Sequence, residues 1–151
     1  MSTTASSQLN SYVTRIDHVG LAVQDLDQAK EFYSRSLGLQ SVHEEVNEEQ
    51  GVREAMLAVG DSGSCIQLLA PLRDDSPIGK FLARNGEGIQ QMAYTVTDID
   101  ALCDHLREVG VRVLYDTPKR GTANSRVNFV HPKDAGGVLI ELVEPDPSTA
   151  H

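Results

Sequence analysis

An α+β fold built from two paired βαβββ modules is predicted by three observations on the sequence. First, "RIDHVGLAVQDLDQA" at residues 15–29 resembles "GIQQMAYTVTDIDAL" at residues 88–102, and "CIQLLAP" at 65–71 resembles "LIELVEP" at 139–145. Second, the two pairs keep nearly the same spacing, 73 residues from His18 to Gln91 and 74 from Gln67 to Glu141. A fixed offset held twice is the mark of an internal repeat. Third, each half runs in the same order: a strand, an Asp-x-Asp, an amphipathic helix closed by glycine, then three more strand candidates.

Taken in order, residues 1–14 form a Ser/Thr-rich lead-in without a basic residue or an apolar run, predicted to be disordered and not a secretory signal. The first module spans 15–71. Its strand near 15–23 leads to a helix from Asp25 to Ser36, with Asp25 as cap and Ala29, Phe32, Tyr33 and Leu37 as the apolar stripe. Gly38 ends that helix, and strands near 39–46, 52–59 and 64–70 follow, the last two joined by "GDSG". Residues 72–87 are a linker with a short helix starting at Ser76–Pro77. The second module, 88–145, repeats the plan with a strand at 89–97, a helix at 98–109 closing at Gly110, and strands near 111–115, 125–130 and 137–143, before a tail of 146–151.

With 151 residues the chain can bury a real core, and 40% hydrophobic with 23% charged residues is ordinary for a globular protein. A net charge of −9 argues against nonspecific binding to nucleic acid or anionic membrane. No stretch reaches the length of a membrane span. Cys65 and Cys103 read as small core hydrophobes in a reducing compartment, so cytoplasm is the expected location.

Strand alternation then sorts the side chains by face. Val19, Leu21 and Val23 suit a helix-covered face, while His18, Gly20 and Ala22 point the other way. Met92, Tyr94 and Val96 alternate with Gln91, Ala93 and Thr95; Gln67 alternates with Ile66 and Leu68, and Glu141 with Ile140 and Leu142. Four strands thus each carry one polar residue at an equivalent place. Packed about a pseudo-twofold, the modules would form a metal-binding cup in which His18, Gln67, Gln91 and Glu141 hold a divalent ion and leave positions open for substrate oxygens. Gln90 falls on the opposite face, as a hydrogen-bonded bystander. Glu44, Glu45, Glu48 and Glu49 read as a solvated charged loop, His43 and His105 as exposed residues without a partner, and His131 as a turn residue.

The stretches "IDHVGLAV", "EEVNEEQGVREAML", "IQLLAP", "GEGIQQMAYTV" and "RGTANSRVNFVHPKDAGGVLIELVE" resemble the methylmalonyl-CoA epimerases of the vicinal oxygen chelate superfamily, over nearly the whole of Arg15 to Pro145. The resemblance implies the vicinal oxygen chelate fold and places the family's metal positions on His18, Gln67, Gln91 and Glu141. It departs at one of them, since "QQ" at residues 90–91 stands where relatives usually carry two histidines. It implies a divalent cofactor, cobalt foremost, with nickel, manganese or zinc as alternatives. Inversion at the α-carbon of a CoA thioester through an enolate is the implied reaction, with Glu54 as acid/base and Glu141 or a held water as the second group. From the residues alone, Glu54 reads as a solvated strand position, and the resemblance reverses that reading. Lys119, Arg120 and Arg126, followed by Lys133, form the main basic cluster, which reads as a site for CoA phosphates or the substrate carboxylate, or as ordinary surface charge. A homodimer is expected because small cups leave sheet edges to cover. The rivals are a glyoxalase-type isomerase, a drug-binding module, and a CoA-ester sensor on the same fold.

Overall fold

The structure, a computed structural model, describes residues 12–148. Among the described residues, eight strands and three α-helices follow one another as β1 (Val13–Ala22), α1 (Leu26–Leu37), β2 (Ser41–Asn47), β3 (Val52–Ala58), β4 (Cys65–Pro71), α2 (Pro77–Asn85), β5 (Gly88–Val96), α3 (Ile99–Glu108), β6 (Lys119–Arg120), β7 (Arg126–Val130) and β8 (Leu139–Glu144). The described residues fall into two compact units, one of 18–91 and one joining 12–17 to 92–148. β1 and β5 contribute to both. No helix among the described residues is long and apolar enough to cross a membrane.

In the 18–91 unit the strand order is β2-β3-β4-β1. β2, β3 and β4 run antiparallel, while β4 lies parallel to β1 with Gly20 opposite Gln67. α1 forms where Asp25 accepts a hydrogen bond from the Gln28 N–H at 3.0 Å, and it stops where Gly38 takes a left-handed φ of 72°. Its inward stripe is Leu26, Ala29 and Tyr33, packed on Val23, Ala55, Leu57, Leu68 and Ala70. Phe32 and Leu37, expected in that stripe, are exposed, because the sheet meets a narrower arc of the helix than the apolar pattern suggested. On the other face of the sheet, α2, capped by Ser76, brings Ile78 and Leu82 against Ala22, Val52 and Leu69.

In the other unit the order is β5-β8-β7-β6. Asp98 caps α3 by accepting from the Ala101 N–H at 3.1 Å, repeating the role of Asp25. α3 buries Ile99, Leu102 and Cys103 against Val96, Val130 and Leu142, while Ala93, Val127 and Val143 cluster separately with Phe129. Neither cysteine is in a disulfide, and burial pushes the Cys103 thiol upward.

The described chain corrects the predicted boundaries at three places. β1 begins at Val13, so Val13 and Thr14 belong to the strand and not to a lead-in; the Thr14 hydroxyl donates to the Thr95 carbonyl at 3.2 Å and the Thr97 N–H to the Tyr12 carbonyl at 2.9 Å. Residues 1–11 of the predicted lead-in, and residues 149–151 of the tail, lie outside the described residues. Glu44 and Glu45 stand in β2 and not in a loop, with Lys30 paired to Glu44 at 2.6 Å and His43 paired to Glu45 at 2.6 Å, so His43 does have a partner. Finally, 111–115 is not a strand. It makes a single bridge, Val113 to Val130, and beyond it the fully buried Asn128 takes over the backbone of Tyr115. Asn128 Oδ1 accepts from the Tyr115 N–H at 3.0 Å and its Nδ2 donates to the Tyr115 carbonyl at 3.0 Å, using the groups a further ladder would need. Asn128→Leu, which removes both of these bonds and leaves the Tyr115 carbonyl with the Arg107 guanidinium at 2.8 Å, is expected to lower stability by about 1–3 kcal/mol, measured by urea unfolding.

Candidate active site

The polar residues singled out by alternation are all interior, and so is Glu54, which the family resemblance picked out. His18, Glu54, Gln67, Gln91 and Glu141 are each no more than 8% exposed. In a chain of 22 acidic residues, a buried glutamate such as Glu54 is the exception, which removes the reading of a solvated strand position.

Three of these residues form a chain of side-chain amides and carboxylate within the 18–91 unit. Gln91 Nε2 donates to Gln67 Oε1 at 3.0 Å, and Gln67 Nε2 donates to Glu54 Oε2 at 2.9 Å. Pairing explains the meeting. Glu54 lies opposite Leu69 on β4, so Gln67 is its diagonal neighbour on the same face. Gln67 in turn lies opposite Gly20 on β1, two residues after His18 on the same side of that strand. Gly20 is what lets Gln91 in. A Cβ there would stand 2.5 Å from Gln91 Cγ, too close for any side chain.

Glu141 sits on β8 opposite Phe129 of β7, on the strand face away from Ile140 and Leu142 as alternation predicted. It belongs to the other compact unit.

The remaining expected residues divide. Lys119, Arg120 and Arg126 line an open cleft of about 320 Å³ together with Pro118, Asn124 and Asp146. Arg126 is already engaged, by Asp100 at 2.9 Å and Glu144 at 3.4 Å, and its guanidinium holds the Asp100 carboxyl below the usual range. Lys119 lies 5.0 Å from the centre of the Tyr115 ring. Lys133 is on the short turn Pro132–Asp134, outside the cleft lining; there His131 Nδ1 accepts from the Lys133 N–H at 3.1 Å, the turn role expected for it. Gln90 Oε1 is buried without a hydrogen-bond partner among the described residues, so it is not the hydrogen-bonded bystander expected. Asn128 was not anticipated as a functional residue, although a lone amide inside "RVNFV" was its signal.

As a set, one imidazole and two amides in one unit suit a cation better than they suit an apolar core. Among the described residues no three His, Cys, Asp or Glu side chains converge. The amides are the distinguishing feature: a half-turn of the Gln91 side-chain amide exchanges its N–H donor for an oxygen at the same point, so Gln67 and Gln91 can both present oxygen to one ion.

A family profile described as the Glyoxalase/Bleomycin resistance protein/Dioxygenase superfamily matches residues 17–129. The chain is 58% identical to a methylmalonyl-CoA epimerase from Mycobacterium tuberculosis whose crystal structure it matches with a TM-score of 0.89, over 98% of this chain and 94% of that one. It is 53% identical to a variant of the Streptomyces coelicolor methylmalonyl-CoA epimerase solved with 2-nitronate-propionyl-CoA, at a TM-score of 0.87 over 89% of this chain and 96% of that one. An ethylmalonyl-CoA/methylmalonyl-CoA epimerase from Cereibacter sphaeroides is 39% identical over 86% of this chain and 97% of that protein.

Proposed function

We propose that this chain, which belongs to the glyoxalase/bleomycin resistance protein/dioxygenase superfamily, is a methylmalonyl-CoA epimerase that interconverts the 2R and 2S thioesters by removing and returning the α-proton. The observation that carries the reading is the buried Glu54 fixed by Gln67, in a chain more than half identical to enzymes of that name.

His18, Gln67, Gln91 and Glu141 would hold a divalent metal, the first three from one unit and Glu141 by the sequence repeat that pairs it with Gln67. Such an ion would supply Lewis-acid stabilisation of the negative charge that develops when the α-proton leaves. Glu54, held at its carboxylate by the Gln67 N–H, takes the α-proton from one face. Return of a proton on the other face would fall to a second group, Glu141 in its protonated form or a held water. Burial of these groups keeps bulk water from delivering protons at random to either face.

The substrate's phosphates fall to Lys119 and Arg120, since Arg126 is committed to Asp100 and Glu144. Replacing both Lys119 and Arg120 by alanine is expected to raise KM for the CoA ester about tenfold with kcat little changed. Arg126→Ala should leave KM where it is, and steady-state kinetics at two salt concentrations separates the cases. We read the protein as a homodimer, with β2 ending its sheet and showing Val42 and Val46 to solvent; sedimentation velocity tests this.

The function is tested by offering one pure epimer of methylmalonyl-CoA, and separately the hemithioacetal of glutathione, to metal-loaded and chelator-stripped protein. Scrambling of the thioester that vanishes on stripping and returns on reloading is the expected outcome. Turnover of the hemithioacetal alone assigns the chain to glyoxalase chemistry instead.

A further inference from the structure

Gln91 is seated more firmly than an incidental amide requires. Its Cγ occupies space that a Cβ at position 20 would fill, and its Nε2 and Cδ lie 3.1 and 3.2 Å from that same point. From this seat the amide reaches Gln67 at 3.0 Å. Side-chain amides coordinate cations through oxygen, so the 18–91 unit offers a metal one nitrogen, from His18, and two oxygens, from Gln67 and Gln91. Imidazole suits zinc, nickel and copper, whereas carbonyl and carboxylate oxygens suit magnesium, calcium and manganese.

Building on the metal site of the proposed function, we propose that Gln91 is a specificity-determining residue for the metal: its oxygen shifts the site toward hard ions of the manganese class and narrows the advantage of cobalt, nickel and zinc. Any site of nitrogen and oxygen donors still binds manganese more weakly than zinc or cobalt in absolute terms. Gln91 sets the ratio. With a small ratio, the ion carried follows its supply, and manganese fills the site wherever it is the more abundant.

The test is a titration of the full chain and of Gln91→His with Mn²⁺, Co²⁺ and Zn²⁺ in competition with a chromophoric chelator. Gln91→His is expected to tighten Co²⁺ and Zn²⁺ by about tenfold more than Mn²⁺. Gln91→Asn, which keeps an oxygen donor, should leave the ratio unchanged and serves equally if the histidine variant folds poorly. Pulsed EPR of the Mn²⁺ forms should count one coordinated imidazole in the wild type and two in Gln91→His. Equal shifts for all three ions, or a second nitrogen absent from the histidine variant, overturn the proposal. The underlying site fails separately: if His18→Ala binds each ion as the wild type does, these residues are not the ligands at all.

Discussion

Glu54→Gln slows interconversion of the two methylmalonyl-CoA epimers by about 10²–10⁴-fold, the usual contribution of one positioned acid/base group. The substitution is nearly isosteric. A glutamine at this position still has an oxygen to accept the Gln67 N–H that now reaches Glu54 at 2.9 Å. The network and the burial therefore survive while the proton acceptor is lost. The effect should fall on kcat with KM almost unmoved, because the proposed mechanism assigns Glu54 to the α-hydrogen and not to the CoA portion. A circular-dichroism or chiral-coupling assay of epimer ratio reads the rate, and an unchanged thermal midpoint shows that the fold is intact. Full activity in this variant would make Glu54 a structural partner of Gln67 and nothing more.

Leu68→Ala gives the largest expected loss of stability, about 2–5 kcal/mol for a fully buried leucine cut back to alanine. Leu68 sits in the middle of β4, flanked by β3 and β1 and turned toward α1, and no part of it reaches solvent. Its neighbours Leu57 and Ala55 are fixed by the sheet, so the cavity has little room to collapse. Its side chain points to the opposite face from Gln67 next door, as strand alternation requires. The rate per folded molecule should therefore hold while the midpoint of denaturant unfolding falls. A comparable loss of rate in the folded fraction would mean that the two faces of β4 are coupled.

What could be read from the sequence follows from what a strand's period encodes. Alternation places His18 and Gln67 on the sheet face opposite α1, and the repeat marks Gln91 and Glu141 as their counterparts; all four are buried. Period does not encode pairing register, so the diagonal meeting of Gln67 with Glu54 was not legible, and the importance of Glu54 came from the family resemblance. The 111–115 segment has strand-like residues, yet its hydrogen-bonding groups are taken up by Asn128 from a strand downstream. Arg126 illustrates another limit. Its charge is visible in the sequence, but its engagement by Asp100, 26 residues away, depends on how β7 meets α3. Phe32 and Leu37 fit a helical stripe in spacing, and only the width of the covering sheet decides that they remain in solvent.

The most direct measurement is solvent deuterium entry at the α-carbon of methylmalonyl-CoA, followed by proton NMR in heavy water with metal-loaded protein. Abstraction and return of the proton through Glu54 and a second group predicts deuterium in the inverted product from the first turnovers, and its disappearance when the metal is stripped or Glu54 is replaced by glutamine. No α-deuterium above the uncatalysed background with any divalent ion would contradict the account and leave a chain that binds CoA esters without acting on them.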